Sequence, residues 1–464
     1  MEIHAQVRRV VGRVLTGKGA EFGECISEGS MHNPETLLDG LDYIACTQHL
    51  EHVAGLLDWW DHLRCGGRLI CVLPDSRFSP AGRWELSGFR EEALQSLPNA
   101  MVREFGLLDR AGSFFVVFVK GRGNTRQKVE PSGPVALFVA ASCGVSGGVK
   151  VIWNCAQALR ERGWHTQAVF NGGTWGCHPA PWDEFELLQA MPTGPVDLAV
   201  ATFHRTWPIV ARSNARNKLA LAQSDEPEWY RPNGSDYNFT YRNFTTPGLK
   251  HVGISRQMAE FTEKYGHDII GLMDNGVDTT VFYPEGVSRL PFKRTMLSIR
   301  KGNKVWFDGQ EHSDAAAAEL AKVLPGFHYL TVGSVETLYG VKRFPEWENF
   351  TTYDEHRMRS IYNSAGVYVI PSGIEGNSLT VLEAFATGCC VVGTDGASDY
   401  LVDGETGLVV PSGDAGAIVE AVKRIFGDQG LRDRLWYNGL KVAREKTMEN
   451  QRRQFAGIVE RLMA

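Results

Sequence analysis

Two acidic residues, Glu375 and Glu383, bracket a short polar turn, Gly376-Asn377-Ser378, between the apolar run VYVIPS from Val367 and an apolar helical stretch that opens at Leu379. A turn that starts a helix leaves backbone N–H groups without intrahelical acceptors, so it offers a ready seat for an anion such as a diphosphate. Ser378 is the predicted cap. Glu383 falls about one turn into the helix, where its carboxylate can accept two hydrogen bonds from a ribose diol attached to that diphosphate. Glu375, before the helix, projects from the loop toward whatever the other phosphate carries. Two acids flanking one phosphate-binding turn suit a sugar nucleotide.

These residues need a scaffold, and the chain supplies alternating strands and helices. VALFVAA from Val135 precedes a helix with Ile152, Cys155 and Leu159 on one face; HTQAVF and DLAVATF follow. A second series runs through TMLSI from Thr295, HYLTVG, VYVIPS and CCVVGTD. This alternation predicts two tandem α/β units, each a parallel sheet wrapped by helices. Asp414, ahead of Ile418, Ala421, Val422 and Ile425, is placed to cap a helix. GNTRQKVEPSG, residues 123–133, has the Gly, Pro and charge of a linker.

The chain has 464 residues, which at roughly 150 per domain implies about three domains. Hydrophobic content of 43% and charged content of 22% are those of a folded globular protein. A net charge of −6 and a pI near 6.1 remove the whole-chain basic footprint of a nucleic-acid binder. VALFVAA and FFVVFV, the longest apolar runs, fall far short of the ~20 residues of a membrane helix. Residues 1–14 lack the apolar core of a secretory signal, so a cytoplasmic protein without a membrane span is expected. The nine cysteines form no CxxC pair, and Cys389 and Cys390 read as reduced core thiols rather than as metal ligands.

The EGNSLTVLE stretch resembles the E-x7-E signature of the family 4 retaining glycosyltransferases, whose GT-B fold faces two Rossmann-like domains across a cleft. Three further stretches resemble that family in its order, covering about 330 residues in all: GVSGGVKVIWNCAQALRERGW from Gly144, the interdomain segment ending in NGVDTTVFYP, and DGETGLVVPSGD. The resemblance implies that Glu383 binds the donor ribose and that Glu375 contacts the donor sugar. It assigns amides to the diphosphate from Gly376, Asn377, Ser378 and Leu379, and close backbone approach to the donor at Gly147 and Gly148. It makes Arg300 and Lys304, with Lys301 the alternative, the cations for the diphosphate. Val332, Gly333 and Phe350 would recognise the base. His204, at the end of a strand, is either a donor-sugar contact or an ordinary buried or capping histidine. LAQSDEPEWYRPNGSDY resembles a stretch of rhamnosyl-transferring members and reads as an acceptor-side loop, or else as surface decoration. A carboxy-terminal helix, residues 451–464, should cross back to the first unit, with Arg452 and Arg453 on its solvated face.

The implied activity is metal-independent transfer of a hexose, with retention, from a nucleoside diphosphate sugar to an acceptor hydroxyl. No cofactor is expected. A polysaccharide or lipid-linked glycan leads among acceptors, with a modified DNA base or a small molecule left open. The alternatives are a non-catalytic sugar-nucleotide-binding scaffold and a bifunctional methyltransferase and glycosyltransferase.

Residues 1–122 resemble the second half of a class I S-adenosylmethionine methyltransferase core. A strand precedes Leu50-Glu51-His52, a Gly66-Gly67 turn precedes the next strand, and MVREFGLLDRAGSFFVVFVKG forms a terminal hairpin. The front half of such a core is missing, so this part is expected to be a truncated, partial Rossmann-like domain that binds no S-adenosylmethionine and serves interaction, including homo-oligomer formation. The expected domains are 1–122, 123–133 (linker), 134–290 (acceptor side), 291–450 (donor side) and 451–464.

Overall fold

The computed structural model describes residues 19–22, 41–47, 63–74, 100–107, 113–120, 133–141, 147–170, 186–188, 191–230, 232–285, 294–300, 309–333, 347–350 and 355–464. They form three sheets.

The first contains β1 (Gly19–Phe22), β2 (Leu41–Thr47), β3 (Leu63–Pro74), β4 (Ala100–Leu107) and β5 (Ser113–Lys120) in the order β1-β2-β3-β5-β4. β1, β2 and β3 run parallel, and β5 runs antiparallel to both β3 and β4. Gly66 and Gly67 do not form a turn ahead of a strand, because they lie within β3. Leu41 pairs with Leu63 and Tyr43 with Arg68, so the glycines occupy a break in the ladder, where a missing side chain costs least. The Leu50-Glu51-His52 segment lies outside the described residues.

The second sheet is parallel throughout. It contains β6 (Val135–Ala140), β7 (His165–Phe170), β8 (Glu186–Leu188), β9 (Leu198–Ala201), β10 (Asn217–Ala222), β11 (Lys250–Gly253) and β12 (Ile269–Leu272), ordered β12-β11-β10-β9-β6-β7-β8. The third, also parallel, contains β13 (Thr295–Ile299), β14 (His328–Val332), β15 (Trp347–Phe350), β16 (Val367–Ile370), β17 (Cys390–Gly393) and β18 (Leu408–Val409), ordered β15-β14-β13-β16-β17-β18. Central strands such as β6 and β16 are buried at every position, which is why they read as unbroken apolar runs. Alternate residues of the third sheet enter different cores. Met296, Val367 and Val369 pack with Ile418, Val422 and Leu435, whereas Leu297, Tyr368 and Ile370 join the core that continues into the second sheet.

The helices are α1 (Gly147–Arg160), α2 (Trp207–Ala211), α3 (Ser235–Phe244), α4 (Arg256–Lys264), α5 (Gln310–Val323), α6 (Glu355–Ser364), α7 (Leu379–Thr387), α8 (Ala415–Gly427), α9 (Gln429–Glu445) and α10 (Met448–Met463). Asp414 caps α8, its carboxylate accepting the Ala417 N–H at 2.8 Å. The last helix packs against α1, Asn154 donating to Gln451 Oε1 at 2.5 Å, and over β6, with the rings of Phe138 and Phe455 6.4 Å apart. Arg452 is not on a solvated face: its guanidinium donates to Asn154 Oδ1 at 2.6 Å and to Glu161 at 2.8 Å, and it docks the helix. Arg453 is exposed.

In each parallel sheet the strand order reverses once, between β6 and β9 and between β13 and β16. Crevices outside the carboxyl ends of strands at such switch points are where open α/β sheets bind ligands. Segments that follow these strands meet here, Gly147 against Leu379 and Gly376 against Gln223.

Candidate active site

The donor-side loop follows β16. The N–H of Glu375 donates to Gly396 O at 2.9 Å, and Asn377 Oδ1 accepts the Ser398 hydroxyl at 2.6 Å. From the second sheet's unit, Ser255 Oγ donates to Gly376 O at 2.9 Å and Asn275 Nδ2 to Asn377 O at 2.7 Å. The loop's carbonyls and side chains are thus held from both sides. Among the described residues no acceptor takes the N–H of Gly376 or Asn377, so these amides remain available to an anion. Two details correct the sequence reading. The Ser378 N–H is engaged by Ala397 O at 3.3 Å, and the Ser378 hydroxyl pairs with the Thr380 hydroxyl at 2.8 Å instead of capping α7. Leu379 opens the helix and packs its side chain toward Gly147.

Glu383 is a buried residue, 7% exposed, rather than a side chain on a helix surface. Its Oε1 receives Lys150 Nζ at 2.9 Å and its Oε2 receives the Tyr362 hydroxyl at 3.0 Å. Lys150 comes from α1, in the opposite unit, and also reaches Glu355 at 2.7 Å. Glu375 is half-buried in the loop.

Arg300 follows β13 directly, but its guanidinium is ion-paired with Asp314, which also accepts the Tyr329 hydroxyl at 3.0 Å. It is a committed partner and not a free counter-charge. Val332 ends β14 with its carbonyl accepting the Arg300 N–H at 2.6 Å; Gly333 follows. Phe350 ends β15, paired in register with Val332, and its side chain is not among the described ones. Lys304 and Lys301 lie outside the described residues.

Gly147 and Gly148 form the first turn of α1 rather than a loop before it, and they lie where the two units touch. A Cβ on Gly147 would meet Leu379 at 3.6 Å, one on Gly148 the Gln223 amide at 3.2 Å, and one on Gly376 the Gln223 backbone carbonyl at 1.5 Å. The segment after β10 therefore lies directly on the donor-side loop.

That segment continues into Asp225 and Glu226, both buried, beside His204 in the short 3-10 turn that follows β9. Glu226 Oε2 accepts the His204 backbone N–H at 2.7 Å, and the Asn243 amide donates to His204 Nδ1 at 3.3 Å. The ring proton is then on Nε2, which is buried without a hydrogen-bond partner among the described residues. Burial pushes Glu226 up to about 8, against the pull of the His204 N–H, and Asp225 up to about 7. Burial, with Arg205 nearby, lowers His204 to about 4. At neutral pH this patch presents a protonated carboxyl and a neutral imidazole. Phe203, Trp229 and Phe239 surround it, with ring centroids 6.2 Å apart for Phe203 and Trp229 and 5.9 Å for His204 and Phe239. Aromatic faces beside carboxyl groups suit the apolar face and hydroxyls of a sugar.

The sequence reading missed Lys150 and, within the LAQSDEPEWYRPNGSDY stretch read as an acceptor-side loop or surface decoration, did not single out Asp225 and Glu226. One signal was available for the lysine: a cation in the first turn of a helix opposes the peptide dipole and so hints at a partner elsewhere. Among the described residues no group of three or more His, Cys, Asp or Glu side chains is placed to hold a metal ion, and no helix is long and apolar enough to cross a membrane.

Comparison with known proteins agrees with this geometry. Residues 304–428 match the family model "Glycosyl transferases group 1". The capsular polysaccharide biosynthesis glycosyltransferase CapM of Staphylococcus aureus is 38% identical over 89 residues, which are 19% of this chain and 23% of the length of that relative. Among solved structures, Anabaena HepE in complex with UDP-glucose is similar at a TM-score of 0.58 and 13% identity, covering 71% of this chain and 100% of that one. Sucrose-phosphate synthase from Thermosynechococcus elongatus gives 0.56 and 18%, covering 70% of this chain and 98% of that one. The chain thus has an α/β GT-B fold with parallel sheets, and its residues 304–428 match the glycosyl transferases of group 1.

Proposed function

We propose that this chain is a retaining, metal-independent glycosyltransferase that moves a hexose from a nucleoside diphosphate sugar to a glycan hydroxyl. The observation that carries this reading is the Gly376-Asn377 turn, with unclaimed amides and the buried Glu383 behind it, closed over by the Gly147–Lys150 turn and the Gln223–Glu226 segment. The turn's amides hold the diphosphate and Glu383 the ribose, while Glu375 faces the sugar. In such a transfer the departing phosphate oxygen takes the acceptor proton on the same face of the sugar, so the protein's work is positioning and charge stabilisation. Arg300 contributes once the donor draws it from Asp314. The protonated Glu226 carboxyl and the aromatic rings near His204 favour a glycan over a polyanionic acceptor, in keeping with the capsular polysaccharide in CapM's name.

A screen of UDP, GDP, dTDP and ADP sugars for thermal stabilisation, followed by a transfer assay, tests the reading, since a ligand that binds the native state must stabilise it. Absence of stabilisation by every donor would refute it. Turnover is expected to survive EDTA, and loss restored by manganese or magnesium would refute metal independence. Residues 1–122 are proposed to be a truncated methyltransferase-like module that binds no S-adenosylmethionine and mediates self-association. Titration with S-adenosylmethionine and light scattering of the full chain check both points.

A further inference from the structure

Lys150 is the fourth residue of α1, where the helix dipole least favours a cation, and its side chain leaves its own unit to reach α7 and α6. Its Nζ lies 2.9 Å from Glu383 Oε1 and 2.7 Å from Glu355 Oε1. Burial pulls the ammonium's proton affinity down, but the carboxylates of Glu383 and Glu355 outweigh it and the net direction is up. Lys150 therefore stays charged at neutral pH.

A carboxylate offers about four lone-pair sites, two on each oxygen. Among the described residues, donors fill one on each oxygen of Glu383, from Lys150 and from Tyr362, and one on each oxygen is left. That remaining pair matches a vicinal diol, which donates twice. The arrangement works only while both oxygens keep that orientation, which the charged donor on Oε1 and the hydroxyl on Oε2 fix together. The groups facing Glu383 are Lys150 from α1, Glu355 and Tyr362 from α6, and, behind Tyr362, Tyr368 of β16 with ring centroids 5.8 Å apart and Cys389. α9 adds uncharged contacts to α7, with Gly439 against Phe385 and Trp436 against Gly388. Among the described residues Lys150 is the cation that meets this carboxylate.

We propose that Lys150 is a positioning residue for the donor: from the acceptor-side unit it holds the Glu383 carboxylate aimed, leaving one acceptor site on each oxygen for a ribose 2′,3′-diol. Donor affinity then depends on the two units being closed, and ribonucleotides are preferred over 2′-deoxyribonucleotides. This rests on the assignment of Glu383 to the ribose under the proposed function.

The test is calorimetric titration of the full chain with UDP, GDP, ADP and their 2′-deoxy counterparts. Wild type is expected to prefer the ribonucleotide about tenfold or more. Lys150→Met should bind the ribonucleotide about tenfold more weakly and lose most of that preference, because the 2′-deoxy form lacks the hydroxyl concerned; Lys150→Arg should restore both. Lys150→Gln, with a shorter uncharged donor, should behave as the Met variant does, which covers a packing defect peculiar to Met. Variants that keep the wild-type preference, whatever their overall affinity, overturn the proposal. A wild type that binds none of the nucleotides overturns the ribose assignment itself, a distinguishable failure.

Discussion

The two walls of the cleft are built on opposite plans. In the wall proposed to hold the donor the parts are local: the turn, its amides and the acid that follows fall within residues 375–383 on one strand-turn-helix unit. On the acceptor side His204, Glu226 and Asn243 come from the ends of β9 and β10 and from α3, and only the fold assembles them. A local site must be built largely from backbone, since neighbouring side chains on a helix diverge. A dispersed site can collect side chains with different chemistry. The donor wall should therefore fail through backbone geometry and the acceptor wall through protonation.

The largest effect is expected at Gly376. A Cβ there would stand 1.5 Å from the Gln223 backbone carbonyl, which cannot be relieved by turning a flexible side chain. Gly376→Ala must force the two units apart and is expected to cut transfer by more than about a thousandfold, a loss of roughly 4 kcal/mol of transition-state stabilisation. A kcat/KM within tenfold of wild type would show that the loop does not work in the closed arrangement.

Glu383→Gln comes next. Removing one partner of a buried ion pair typically costs about 3 to 5 kcal/mol, and Glu355 remains to hold Lys150, so about 3 kcal/mol of stability should be lost. One of the two ribose hydrogen bonds would also go, since glutamine keeps one carbonyl acceptor and sets an N–H donor against the other hydroxyl, weakening the donor about tenfold or more. Denaturant unfolding and nucleotide titration read the two losses separately. Unchanged stability would mean that the carboxylate is not buried as described.

These two sites also mark what the sequence disclosed and what it hid. The strands were legible because burial on both faces writes unbroken apolar runs, and Asp414 was legible because a cap acts within one turn. The E-x7-E spacing gave the donor-side acids for the same reason. Lys150 was not legible as a partner of Glu383, because 233 residues separate them and no local pattern encodes a contact across a cleft. Arg452 resembled a solvated residue until the docking of α10 on α1 gave it Asn154 and Glu161. Ser378 has the residue type of a cap, yet Thr380 offered its hydroxyl a nearer partner.

The acceptor wall should respond to pH. Glu226, ordinarily at 4.5 and held at about 8, and Asp225, ordinarily at 3.8 and held at about 7, keep their protons in the folded state where the unfolded chain has released them. Folding then carries extra protons between about 4 and 8, so the acids' stabilisation, full below that window, is lost as pH rises through it. His204, lowered from 6.5 to about 4, acts oppositely, and only below pH 6.5. Above 6.5 the acids act alone, and the melting temperature should fall from there to pH 8. Glu226→Gln, which still accepts the His204 N–H but cannot titrate, should flatten most of that fall. An equal slope in the variant would remove Glu226 as its source.

The smallest effect separates the two plans most cleanly. Gly148 faces the same Gln223 as Gly376 does, but a Cβ there would stand 3.2 Å from the side-chain amide oxygen, the mobile end of a flexible residue. The amide can turn away, giving up its 3.3 Å hydrogen bond to Thr202 O. One hydrogen bond of that kind is worth about 1 kcal/mol, and alanine in place of glycine within a helix returns a similar amount. Gly148→Ala should therefore leave stability within about 0.5 kcal/mol of wild type and transfer within a few fold. If it instead matched Gly376→Ala in severity, the first turn of α1 would have to touch the donor through its backbone, and the acceptor-side unit would share the plan assigned above to the donor wall alone.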